Sequence, residues 1–208
     1  MHSRAVSAQS LVRRFERWRQ NQRIAVHQWS GPLIQHALAA WGTNALYLAL
    51  DTSTLGETYG LVRMSRISRG RALPLVWKVL QHPRRRVAYT VYAALVDTAA
   101  SRLPLQGQVI FVADRGVADT HLMEHLRRLA WHWRLRFKSR VWISRCGPQP
   151  GKTSRLSLAL GEARCWPHVS MTKIHDGPGH LALARRQDGK EEWVVVSDEP
   201  TDRKTFEE

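Results

Sequence analysis

The chain has 208 residues, and its 32 Lys and Arg outweigh 17 Asp and Glu to give a formal charge of +15. That length suits one substantial core with at most a small appended module, and that charge favours a polyanionic partner such as nucleic acid. No apolar run approaches the ~20 residues of a spanning helix and no signal-like stretch opens the chain, so a soluble, cytoplasmic protein away from membranes is expected.

Residues 1–40 read as a short N-terminal helical segment. Leu11, Phe15 and Trp18 recur at helical spacing, as do Ile34, Ala37 and Leu38. Arg4, Arg13, Arg14, Arg17, Arg19 and Arg23 face a single acid, Glu16, so this segment either touches DNA or serves as a linker.

A change of pattern follows at Ala45–Leu50, a continuous apolar run expected of a strand buried on both faces, which ends at Asp51. Two further strand-like runs, Tyr59 to Ile67 and Ala72 to Leu80, flank Ser68-Arg69-Gly70-Arg71, whose glycine suits a hairpin turn. Together the three runs predict a meander.

Pro83 fits a first helical turn, and Val87, Val91, Leu95 and Ala99 supply a buried stripe for a helix that stops by Pro104. Val109–Ala113 is another continuous apolar strand and also ends at an aspartate, Asp114, followed by Arg115-Gly116. Leu122, Leu126, Leu129 and Trp133 then predict a second helix, and Arg134 to Trp142 a basic strand with one wet face. From about 147 to 190 glycine, proline and polar residues multiply around short apolar patches, predicting an irregular, mostly β insertion before a last buried strand at Trp193–Val196.

Charge is unevenly placed. Thr58–Val96 holds no carboxylate but carries Arg63, Arg66, Arg69, Arg71, Lys78 and Arg84 to Arg86, and the acid-free stretch His125–Gly161 carries Arg134, Arg136, Lys138 and Arg140 among others. Either these runs are solvated faces, or they neutralise phosphates, which is where most salt-dependent DNA affinity arises. Arg63, Arg66, Arg69, Arg71, Arg115, Arg136, Lys138 and Arg140 are the candidate nucleic-acid contacts, with a salt-bridge role equally open for Arg115.

The order of three strands, helix, strand, helix, strand is that of a ribonuclease-H-like α/β fold, a mixed sheet flanked by helices, in which the first and fourth strands are parallel neighbours. Asp51 and Asp114 then converge at the strands' carboxyl ends, where α/β folds place ligands. Two such carboxylates repel unless a cation lies between them, and hard oxygen donors select Mg²⁺ or Mn²⁺. The alternative is that each aspartate merely caps a turn or helix.

Leu48-Ala49-Leu50-Asp51-Thr52-Ser53, Ala72 to Trp77, Val109 to Gly116 and Trp131 to Ser139 resemble successive blocks of the DDE transposases of bacterial insertion sequences, a resemblance that covers roughly residues 40–206. It implies a ribonuclease-H-like catalytic domain over 41–208, interrupted by the insertion. It also implies that Asp51 and Asp114 are the first two acids of a metal-binding triad with Mg²⁺ or Mn²⁺ as cofactor. The implied partners are insertion-sequence ends and target DNA, with homo-oligomers a prospect for the full-length form. Val196 to Thr201 is similar to the segment leading into the helix with the third acid, but no Tyr follows Tyr92 to mark that helix. The expectation is therefore a C-terminally truncated enzyme, inactive alone, with a non-catalytic DNA-binding remnant as the alternative. A nuclease of the same fold unconnected with transposition ranks behind both.

Several other residues draw blander expectations. Glu162, Glu191, Glu192 and Glu199 are expected to be solvated surface acids, and Glu207 and Glu208 lack the companions of a catalytic acid. Trp131 and Trp142 suit core packing better than base stacking. His121 and His125 have a zinc-like spacing without the HExxH glutamate. Cys146 and Cys165 form no CxxC and are expected to be unpaired thiols.

Overall fold

The computed structural model describes residues 8–21, 23, 26–39, 45–81, 87–103, 107–117, 119–137, 142–144, 151–153, 156, 158–171 and 179–202. Helices α1 (Ala8–Arg19) and α2 (Val26–Ala39) open it. They are followed by strands β1 (Leu46–Leu55), β2 (Tyr59–Ser68) and β3 (Arg71–Gln81), helix α3 (Tyr89–Ala100), strand β4 (Val109–Ala113) and helix α4 (Thr120–Arg128). Strands β5 (His132–Phe137), β6 (Trp142–Ser144), β7 (Gly151–Lys152), β8 (Ala163–Met171), β9 (Gly179–Arg185) and β10 (Glu192–Ser197) complete it. Among the described residues no helix is long and apolar enough to cross a membrane.

The strands form one ten-stranded sheet in the order β3-β2-β1-β4-β5-β10-β9-β8-β6-β7. β1, β2 and β3 are an antiparallel meander, whereas β1–β4 and β4–β5 are parallel and β10 returns antiparallel to β5. The meander, the three parallel strands at the centre and the two helices that cross over between them make this a ribonuclease-H-like mixed α/β sheet.

Alternation decides which face each side chain takes, because successive strand residues point to opposite sides. On one face Leu46, Leu48 and Leu50 of β1, Val62 and Met64 of β2, Val109 and Phe111 of β4, Trp133 and Leu135 of β5, and Val194 and Val196 of β10 are buried. The helices reach this core through Tyr92, Leu95, Val96 and Ala99 of α3 and Leu122, Met123 and Leu126 of α4. The opposite face carries Tyr47, Ala49 and Asp51, level with Val112 and Asp114 and with Arg134 and Arg136, and a cleft opens there.

Several element boundaries depart from the sequence expectation. Trp133 lies in β5 and not in the second helix, because α4 ends at Arg128 and the chain reverses at Ala130, whose φ is 55°. Val87 precedes α3, and Pro83 lies outside the described residues. The basic strand expected over 134–142 ends at Phe137, residues 138–141 lie outside the described residues, and β6 begins anew at Trp142. The region read as an irregular, mostly β insertion contributes two strands to the central sheet, since β9 pairs with β10 and β8, interrupted by one register shift, pairs with β9.

In α1 the stripe seen in the sequence is not packed. Leu11, Val12, Phe15 and Trp18 are all exposed, with the Phe15 and Trp18 rings 5.8 Å apart. Leu38 of α2 does join the core.

Candidate functional site

β1 and β4 run side by side, and their last registered pair is Leu50 with Ala113. The next residues are Asp51 and Asp114, so one register brings both aspartates to the same level of two adjacent parallel strands. Both line one cleft of about 340 Å³, together with Tyr47, Ile67, Val112, Arg134, Arg136 and Trp193. Their side chains are 58 % and 60 % exposed, open to solvent and to any ligand in the cleft.

Each carboxylate has its own guanidinium. Arg63, directly across from Asp51 in β2, places Nη2 3.7 Å from Asp51 Oδ2. Arg136 of β5 places Nη1 3.7 Å from Asp114 Oδ1 and Nη2 3.5 Å from Glu191 Oε1. These are long ion pairs at an open surface, and pairs of that kind are worth little, roughly 0–1 kcal/mol. Nothing in them would prevent a stronger ligand from displacing the guanidinium.

Arg136 is also stacked, its guanidinium 4.3 Å from the Trp193 ring centre, while Arg134 lies 5.9 Å from the Tyr47 ring. Glu191 accepts a hydrogen bond from Trp193 Nε1 at 3.1 Å and sits 3.7 Å from Arg186. The Trp193 bond, then Arg136 and Arg186, hold Glu191 below the usual carboxylate range against the opposing effect of desolvation. Glu191 is thus one guanidinium removed from Asp114 and engaged by three neighbours, while its side chain stays 42 % exposed as expected of a surface acid. Glu191 immediately precedes β10, two residues before its Trp193 partner.

Two other discounted acids are engaged as well, whereas Glu192 is exposed and Glu207 and Glu208 lie outside the described residues. Glu199 accepts from Gln108 at 2.8 Å and lies 3.8 Å from Arg134. Glu162 accepts from the Ala159 backbone at 2.7 Å and also pairs with Arg164. The first of these bonds, followed by the second, lowers its pKa against the opposing effect of desolvation. Among the described residues no three His, Cys, Asp or Glu side chains gather closely enough to hold a metal ion. Asp51 and Asp114 offer oxygen donors of the type that hard divalent cations prefer, and in this arrangement they stand as two.

The cationic candidates divide. Arg136 lines the cleft, Arg63 lies beside Asp51, and Arg115 is exposed in the turn that starts at Asp114, where the Val117 amide donates to Asp114 O at 2.9 Å. Arg66 does not reach it. Paired with Leu48, it takes the helix-covered face, is 9 % exposed, and burial lowers its pKa. Arg69 and Arg71 are exposed at the β2–β3 turn, and Arg69 lies six residues past Arg63, roughly 20 Å away along the strand at about 3.3 Å per residue. Lys138 and Arg140 lie outside the described residues.

Trp131 is buried in the core and Trp142 is half-buried. His125 is taken up by Asp97 at 2.7 Å and by the Tyr89 hydroxyl at 3.3 Å. Cys165 is a free thiol, and Cys146 lies outside the described residues.

No family model matches the chain, and no curated protein does. Among solved structures it is similar to a piggyBac transposase, determined by cryo-EM as a synaptic complex with hairpin DNA. That likeness covers 75 % of this chain and 34 % of the other, with a TM-score of 0.43 and 10 % identity, so the chain spans about a third of that transposase's length.

Proposed function

We propose that the chain is a DNA-binding fragment of a DDE transposase of the insertion-sequence type, whose full-length form cuts and joins DNA strands using Mg²⁺ or Mn²⁺ held by Asp51 and Asp114. The observation that carries this reading is the β1–β4 register, which sets two exposed carboxylates level on neighbouring parallel strands at the mouth of one cleft. A divalent cation bound there would lower the pKa of a water or strand-terminal hydroxyl and neutralise the leaving oxygen.

The protein's own groups do the rest. Asp51 and Asp114 supply hard oxygen donors, and Arg63, Arg134 and Arg136 supply the positive rim that a phosphodiester needs in order to approach two carboxylates. Arg136 is pre-oriented by Trp193 and Glu191, so little rotamer freedom is lost when it meets a phosphate.

A non-catalytic DNA-binding remnant is the second reading, favoured by the presence of two carboxylates where a triad is expected. On either reading the chain alone has negligible strand-transfer activity. Thermal unfolding with Mn²⁺ separates the two. At about ten times its Kd, a cation bound only by the folded state stabilises by roughly 1.4 kcal/mol, which raises Tm by about 3–6 °C in a domain of this size. The shift is expected for the natural sequence and absent for Asp114→Asn. A natural chain whose Tm ignores Mn²⁺ leaves the remnant reading standing and removes the metal site.

A further inference from the structure

A row of titratable side chains crosses the sheet away from the aspartate cleft. His132 of β5, Asp198 just after β10, His180 of β9 and His168 of β8 come from four strands that are neighbours in the order β5-β10-β9-β8. Asp198 accepts from the Trp133 backbone at 2.8 Å through Oδ1 and meets His132 Nδ1 at 3.1 Å through Oδ2. His180 stands opposite Ser197 and is 7 % exposed, while His168 is exposed.

The two histidines face each other because of a local irregularity. β8 pairs regularly with β9 up to Trp166 and Leu181, shifts register, and resumes at Val169 and Gly179. His168 lies within the shift with a φ of 52°, a left-handed conformation unusual for a residue other than glycine. The outcome is two imidazole rings with centroids 5.2 Å apart and planes inclined by 53°.

We propose that His168 and His180 form a two-imidazole site for a borderline divalent cation, best suited to Zn²⁺, separate from the oxygen-donor pair at Asp51 and Asp114. Imidazole is the ligand that Zn²⁺, Cu²⁺ and Ni²⁺ prefer and Mg²⁺ does not. The ring separation admits tetrahedral binding when each imidazole turns a nitrogen toward the metal. With Zn–N at about 2.0–2.1 Å, each ring centre lies about 3.2 Å from the metal, and a tetrahedral angle then separates two ring centres by about 5.2 Å.

The surroundings suit a cation with water in its other positions. Burial, and then the neighbouring His168, keep the His180 imidazole below its ordinary pKa while Asp198 acts in the opposite direction. Asp198 supplies a nearby negative charge to offset the metal's, and exposed His168 leaves a path from solvent.

Zn²⁺ titrated by calorimetry into the full chain tests the site, with Co²⁺ visible absorption reporting coordination geometry. Binding by the natural chain is expected, weakened at least about tenfold in both His168→Ala and His180→Gln. His121→Ala, outside both sites, should leave it unchanged. His168 is exposed, so its removal should preserve the fold, which circular dichroism verifies, and this variant decides the matter if His180→Gln fails to fold. Absence of Zn²⁺ binding by the natural chain, or equal affinity in His168→Ala, overturns the proposal. Neither result bears on the Mn²⁺ response of Asp114.

Discussion

Arg136 shows how one side chain serves opposing demands. Its planar guanidinium can stack and bond at once, which an ammonium cannot, and here it stacks on Trp193 while lying between Asp114 and Glu191. On the proposed reading it competes with a metal at Asp114 and attracts a phosphate at the cleft rim. Arg136→Met should therefore move two affinities in opposite directions. Mn²⁺ binding should strengthen a few-fold, on the scale of an exposed ion pair, while DNA binding weakens and its log–log salt slope falls by about one phosphate. Parallel changes in both affinities, measured by calorimetry and fluorescence anisotropy, would refute the competition. Residues of this kind were unequally legible. Asp51 and Asp114 stood out because each ends an apolar run. Arg66 carried a readable warning, since it continues the alternation of Val62 and Met64 toward the core. Glu191 carried no such pattern, because its role depends on β10 returning beside β5 from more than fifty residues away in the chain.

At the scale of elements, continuous apolar runs identified β1 and β4, and four-residue spacing identified most of α3 and α4. The end of α4 was misread because it lacks the glycine that usually marks one. Its last turn is nonetheless a Schellman motif. The Trp131 amide donates to Leu126 O at 3.0 Å, the Ala130 amide donates to Arg127 O at 3.0 Å, and both Leu126 and Trp131 are buried. Ala130 occupies the left-handed position at φ 55°, where an alanine costs about 1–2 kcal/mol relative to the right-handed region. Ala130→Gly removes that cost and loses part of it to the greater freedom of the unfolded chain. A net gain of about 0.5–1 kcal/mol in urea unfolding is expected, with no change in the denaturant slope. A destabilised variant would mean that the alanine methyl contributes packing that outweighs its backbone strain. The strands β8 and β9 were hidden for a different reason: glycine, proline and polar residues are interspersed through the region, but pairing with β10 supplies the order that local propensity withholds.

For the whole molecule, the decisive division is between the two faces of the sheet. Apolar residues from five central strands are buried on one face with α3 and α4, so the charged and aromatic residues in alternate positions are left on the other, and alternation alone sends Asp51, Asp114, Arg134 and Arg136 there together. The same asymmetry runs along the sequence, because eight of the 17 acids fall in the last 21 residues and the rest of the chain is correspondingly more basic than +15 suggests. A surface built this way binds DNA chiefly by releasing counterions, at about 0.9 units of log–log salt slope for each phosphate neutralised. If the cleft rim, the exposed turn at Arg115 and the basic face of α1 all engage, six or more phosphates are in reach. Affinity for a duplex of unrelated sequence should then fall by about a thousandfold or more between 50 and 200 mM salt. A slope equivalent to one or two phosphates would confine DNA to the Arg134–Arg136 rim and leave the remaining positive charge as a solvated, solubilising surface.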